Sequence, residues 1–264
     1  MILIVGCGSG TGSNAGNEVD ERELTPEEIA AMEFWSEQFQ MSLVSDSMRT
    51  FEEENRVSPE RERALAMGAF VLTFNRESIR VFPLRGSARH ADSIMEMWGI
   101  ESTEDALEIL DSLSSDEIVE CAVDEIFHFI IYHGWDEISH IMRNEDVPNL
   151  WAFGNAKEML IEEFDFTEEE LFEIPSLAAW YFGRVAVVAR YGVEAGFLEE
   201  EDTWYYLERA ANHASVIYNC WRQYTGAHIL GRAIVYGNVD DFRDALRFLL
   251  NHEESPFKSI EFHD

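Results

Sequence analysis

Three arginines, Arg184, Arg190 and Arg232, sit in the least acidic long stretch of the chain, Ser176 to Gly237. A guanidinium in an apolar helix must be paired or must reach solvent, because an isolated charge is costly to bury. Two short echoes carry two of them: Phe182-Gly183-Arg184 before Val185-Ala186, and Leu230-Gly231-Arg232 before Ala233-Ile234. If the helices holding these echoes meet, Arg184 and Arg232 converge and the two glycines let the backbones approach. With Arg190, Trp180 and His228 they make the candidate binding set for a small anion. A competing account gives each guanidinium to helix-end carbonyls or a buried Glu, where it fixes helix register. A rigid fork of five donors suits that job, and no nucleophile or base is tied to the pair.

Glu125 with His128 and Glu137 with His140 repeat a Glu-x-x-His spacing. On a helix that spacing puts both side chains on one face, as in di-iron carboxylate bundles. Such bundles need the pairs on separate facing helices plus two further glutamates. Here only Gly134 parts the segments, and chance pairs are expected in an acid-rich chain. No metal or cofactor is therefore expected. His213 and His228 lie on core-forming helices near Ser215 and Thr225, but no third group orients them into a hydrolase triad, and they read as hydrogen-bonded core histidines. No catalytic constellation emerges, so a non-enzymatic role is favoured. Trp98, Trp180, Trp204 and Trp221 recur in helical register and read as core anchors.

The first residues, MILIVGCGSGTGSNAGN, allow three readings. Glycines after an apolar run suggest a phosphate cradle, but the sequence that follows is polar and acidic rather than an apolar helix. Ile4-Val5-Gly6-Cys7 resembles a lipobox followed by a Gly/Ser/Asn tether, which would make Cys7 a lipidation site if the start codon lies upstream. The third reading is a flexible terminus over residues 1–20.

From residue 21 to 264 the pattern is helical. Thr25-Pro26-Glu27-Glu28 reads as a capping box opening a helix through about Arg49, and Ser58-Pro59 opens another. Ser78 to Leu84 is the only strand-like piece, limited by Pro83 to an edge or an extended loop. Ser115 to His133 reads as an amphipathic helix with Ile118, Cys121, Ala122, Ile126 and Phe129 inward. Thr167 to Glu170 is a second capping box. Pro175-Ser176 opens a central helix that Gly192 ends, and three more helices follow. The 3.6-residue period dominates, so the fold class is all-α, an irregular multi-helix domain.

Composition narrows the partners. Fifty-two acidic residues against 19 basic give a net charge of −33, which repels nucleic acid and anionic membrane and attracts a basic protein. No stretch reaches the length of a membrane-spanning helix. Cys7, Cys121 and Cys220 share no metal or redox spacing; Cys121 and Cys220 read as small core hydrophobes.

The chain resembles a bacterial family known as domain of unknown function 1266. The resemblance is carried by Trp98-Gly99-Ile100 with Ser102 to Leu107, then Trp180, Gly183-Arg184, Ala189-Arg190, Gly192, Ala195-Gly196, Trp204, Ala210-Ala211, Trp221, Tyr224 and Gly231-Arg232. It covers roughly residues 60–240 and departs at Phe182, where the family usually has an acidic residue. It implies a helical fold and no particular activity. The expectations are a cytoplasmic protein, or one lipid-anchored through Cys7, that binds a basic protein partner through its acidic surface, in one version as an immunity protein. The alternative is an enzyme or small-anion sensor built on Arg184 and Arg232.

Overall fold

The computed structural model describes residues 25–115, 122–135, 138 and 150–263. The N-terminal segment with Cys7, and also Ile118, Cys121, Glu137 and His140, lie outside the described residues. Among the described residues, local side-chain caps start five α-helices, at Thr25, Ser45, Ser58, Ser102 and Thr167. Thr25 accepts from the Glu28 amide while Glu28 reaches back to the Thr25 amide, opening α1 (Pro26–Leu43) as a capping box. The helix expected to run on to Arg49 is two: Ser45 accepts from the Met48 amide and starts α2 (Asp46–Glu54). Ser58 caps α3 (Pro59–Ala66), and Gly68 separates it from α4 (Ala69–Phe74). Then come α5 (Ala91–Met97), α6 (Thr103–Ser114) and α7 (Ala122–His133). After α8 (Leu150–Phe164), the second capping box at Thr167 opens the short α9 (Glu168–Phe172).

The central helix is α10 (Ala179–Glu194), followed by α11 (Glu200–Ile217), α12 (Trp221–Tyr236) and α13 (Arg243–Asn251). No strand occurs among the described residues, and the fold is all-α. Residues 78–84 form an extended loop with a single antiparallel bridge between Arg56 and Val81. No helix among the described residues is long and apolar enough to cross a membrane.

Twelve of the sixteen residues of α10 are buried, which places this helix inside the bundle rather than on its surface. It packs against α3, α4, α5, α6, α11 and α12, while α12 also lies on α7, α8 and α9. Its start is gripped from several sides. The Asp124 carboxylate accepts from Ser176 Oγ at 2.6 Å and from the Leu177 amide at 2.5 Å. The Tyr218 hydroxyl accepts from the Ala179 amide and donates to the Ser176 carbonyl. These contacts hold 176–178 outside the helix, so α10 opens at Ala179 and not at Pro175-Ser176. It runs two residues past Gly192, and the turn that follows is made at Gly196, whose φ of +78° needs no Cβ.

Two inward assignments are corrected. On α7 the buried face is Val123, Phe127 and Ile130, at helical spacing, whereas Ile126 and Phe129 are exposed. Both sets satisfy the same periodicity, and the position of α12 selects one of them. Cys220 is exposed at the N-cap of α12 rather than sunk in the core.

Candidate functional site

The sequence echo at the two Gly-Arg pairs has a direct structural counterpart, because α10 and α12 pack side by side. Gly183 faces His228: a Cβ there would lie 2.7 Å from the imidazole Cε1 and 2.9 Å from Nδ1. Gly231 faces the start of α10, where a Cβ would come within 2.9 Å of Trp180 Cβ. The glycines thus permit the close approach, and one further residue along each helix projects an arginine.

Arg184 and Arg232 line one open cavity of about 410 Å³. The Arg184 guanidinium lies 4.1 Å from the ring centre of Trp98 and 5.2 Å from that of Trp180. The Arg232 guanidinium lies 5.7 Å from Trp180, 5.2 Å from Tyr236 and 4.3 Å from Phe242. Trp180 is therefore shared by both cations, and the aromatic faces of Trp98, Tyr236 and Phe242 help hold the two planar groups in place. Arg232 also donates through Nε to the Asn238 carbonyl at 3.0 Å, and the Asp241 carboxylate lines the same cavity. Burial lowers the Arg232 pKa; Tyr236 and Asp241 oppose that, and Arg184 adds to it. Two guanidiniums and one carboxylate, Asp241, line this partly desolvated cavity, and the two like charges repel each other.

The walls between are apolar, with Val71, Phe74, Ile94 and Val187 contributing. Around Tyr191 the lining is polar. Asn75 Nδ2 donates to Tyr191 Oη at 2.9 Å, and Tyr191 donates to Ser87 Oγ at 2.6 Å. Burial raises the Tyr191 pKa, which keeps this hydroxyl neutral and able to donate.

A family model described as a protein of unknown function, DUF1266, matches residues 93–262. The chain belongs to this family. The matched stretch of this DUF1266 protein contains Trp98, Trp180, Arg184, Arg232, Tyr236 and Phe242, whereas Val71, Asn75, Ser87 and His90 of the same cavity precede it. Comparisons with curated proteins and with solved structures return no match.

The remaining candidates fall elsewhere in the DUF1266 fold. Arg190 is fully buried and donates to three carbonyls: Nε to Phe82 at 2.6 Å, one terminal nitrogen to Ser78 at 2.7 Å and the other to Pro83 at 2.8 Å. It pins the 78–84 loop and does not line the cavity. Desolvation pulls its pKa down to about 10, against the attraction of Glu77, so it stays charged at neutral pH. His228 is also fully buried and outside the cavity, stacked on Phe70 with ring centres 4.4 Å apart and edge-on to Trp180 at 5.3 Å. Its Nδ1 lies 3.2 Å from the Ala179 carbonyl, and Nε2 has no hydrogen-bond partner among the described residues. Burial pushes its pKa down to about 3; the Ala179 bond opposes this, and Arg232 and Arg184 add to it.

Glu125 and His128 are exposed on α7, and no group of three metal-ligating side chains occurs among the described residues. Ser215 and Thr225 both donate to carbonyls of their own helices, so neither is presented to a base. Sequence reasoning missed Trp98, Tyr236 and Phe242 as arginine supports. Trp98 read as a core anchor, yet it is half-buried and carries Arg184 on its ring. The signal that could have found it is its place at the end of a short helix, where a large aromatic often meets both core and solvent.

Proposed function

We infer that this protein binds a small anion in the cavity shared by Arg184 and Arg232, and acts as a sensor or carrier rather than as a catalyst. One observation carries the reading: in a chain of net charge −33, two guanidiniums stacked on a common tryptophan face one cavity. A fixed, aromatic-backed fork presents its edge donors to a carboxylate or phosphate without paying much side-chain entropy on binding. No nucleophile–base pair among the described cavity residues accompanies it.

The test is thermal unfolding with phosphate, sulfate or citrate titrated in at constant ionic strength. A saturable rise in Tm is expected, lost in Arg232→Ala while the ligand-free Tm of that variant stays within a few degrees of the parent. A parent protein whose Tm ignores all three anions would sink the reading.

A second reading is favoured by α1. Its Ile29, Met32, Phe34, Trp35 and Met41 are exposed among Glu27, Glu28, Glu33 and Glu37. Exposed apolar side chains interspersed with carboxylates suit a basic protein partner, of which a secreted cationic toxin met by an immunity protein is one version. Recovery of a stoichiometric basic protein at low salt, lost at moderate salt and lost in Trp35→Glu, is the expected result. Binding that is indifferent to salt would remove the charge from the argument.

A further inference from the structure

The shape of the cavity carries the anion reading one step further. Trp180, Arg184, Val187 and Tyr191 lie on α10 at spacings of four, three and four residues, so they form one stripe along the helix. At a rise of about 1.5 Å per residue, the backbone positions of Arg184 and Tyr191 are separated by roughly 10 Å along the axis. Between them the wall is Val187 with Val71 facing from α4. Inorganic phosphate or sulfate would fill only the cationic end and leave that apolar stretch in contact with water.

The geometry points to an organic anion as the ligand: a carboxylate or phosphate head held by the two arginines, on a flat apolar body about 10 Å long that lies against Val71 and Val187. This rests on the anion-binding reading above. A free inorganic anion shares the head-group chemistry and differs only in lacking the body, and that difference is measurable. The polar floor at Tyr191 and Ser87 sets the limit of the apolar stretch.

Calorimetric titration of the full chain with three probes separates the possibilities: 2-naphthyl phosphate, inorganic phosphate and 2-naphthol. The expected order is 2-naphthyl phosphate about 10- to 100-fold tighter than inorganic phosphate, from burial of the ring system, with 2-naphthol weakest. Arg232→Ala should weaken both phosphates. Val71→Trp, at a half-buried position, should fill the apolar stretch and remove the advantage of the naphthyl group while inorganic phosphate binds as before. Equal affinity for the two phosphates in the parent protein overturns the organic class and leaves the anion site standing. No binding of either phosphate overturns both. Tight 2-naphthol binding that Arg232→Ala leaves unchanged overturns the assignment of the head group. If Val71→Trp does not fold, the comparison of probes on the parent chain still decides.

Discussion

Glu77 and Arg190 hold opposite polarities of the same loop. The Glu77 carboxylate accepts from the amides of Arg85 at 2.6 Å, Gly86 at 2.8 Å and Ser87 at 2.6 Å. Arg190 donates to the carbonyls of Ser78, Phe82 and Pro83. Both side chains are buried, at 1% and 0% exposure, and an extended segment with a single β-bridge, Val81 to Arg56, has several of its backbone groups satisfied by two charges instead of a sheet. The same loop supplies Ser87 to the cavity floor, so the pair stabilises the core and shapes the candidate site together.

Replacing Arg190 should therefore be severe. Arg190→Leu leaves three buried carbonyls unsatisfied and Glu77 without its counter-charge, an expected loss of about 3–5 kcal/mol by urea or guanidinium unfolding. Arg190→Lys should recover little of it, since one ammonium cannot serve three carbonyls held in a planar fork. Near-parental stability of the lysine variant would show that charge alone, and not the fork, is what the loop requires.

Stability should also depend on pH through His228. Its folded pKa is near 3, while an unfolded chain titrates near the usual 6.5. Between those values the unfolded chain binds the proton and the folded one does not. This contribution is fully present above about 6.5 and is lost as pH falls toward 3, with a slope approaching about 1.4 kcal/mol per pH unit. Glu52, whose pKa burial raises, acts in the opposite direction just above the ordinary carboxylate range. The difference between the parent and His228→Leu isolates the histidine. A difference that stays flat from pH 7 to pH 5 would mean that the imidazole is hydrated or charged in the folded state.

Much of this architecture was legible because its causes are local. Thr25 and Thr167 make their capping boxes within four residues, and the Gly-Arg echo at 183–184 and 231–232 marked the two helices that meet. The role of Arg190 was open between ligand and staple, since its carbonyl partners lie more than 100 residues upstream. The inward face of α7 was misassigned because Ile126 and Phe129 fit the helical period as well as Phe127 and Ile130 do; only the neighbouring helix breaks the tie. Trp98 and Tyr236 escaped notice for a related reason. Periodicity reports which residues share a face, not whether that face ends at a cavity.

The contact between Gly183 and His228 supplies a third prediction. Gly183→Ala would place a methyl group under 3 Å from a ring fixed between Phe70 and Trp180, so the imidazole cannot simply swing aside. The expected cost is about 1–3 kcal/mol. His228→Ala removes the obstacle, so Gly183→Ala should cost much less in that background. Additive effects in the double mutant would place the strain on the Met67 carbonyl, which a Cβ at 183 would meet at 3.1 Å.

The start of α10 offers the last test, and it connects the core to the cavity. Asp124 on α7 holds Ser176 and the Leu177 amide, and Gly231 on α12 packs against Leu177 and Trp180. Asp124→Ala should free the 176–178 segment at a cost of about 1–3 kcal/mol, the range for leaving a buried donor unmade. Trp180 begins the first turn of α10 and supports both arginines, so the loosening should reach the cavity. Hydrogen exchange at the Leu177 and Ala178 amides should accelerate, and anion affinity should fall although Asp124 does not line the site. Faster exchange with unchanged affinity would show that Trp180 is positioned by α12 alone. Unchanged exchange would show that Tyr218, through its bonds to Ser176 and Ala179, is sufficient to fix the segment.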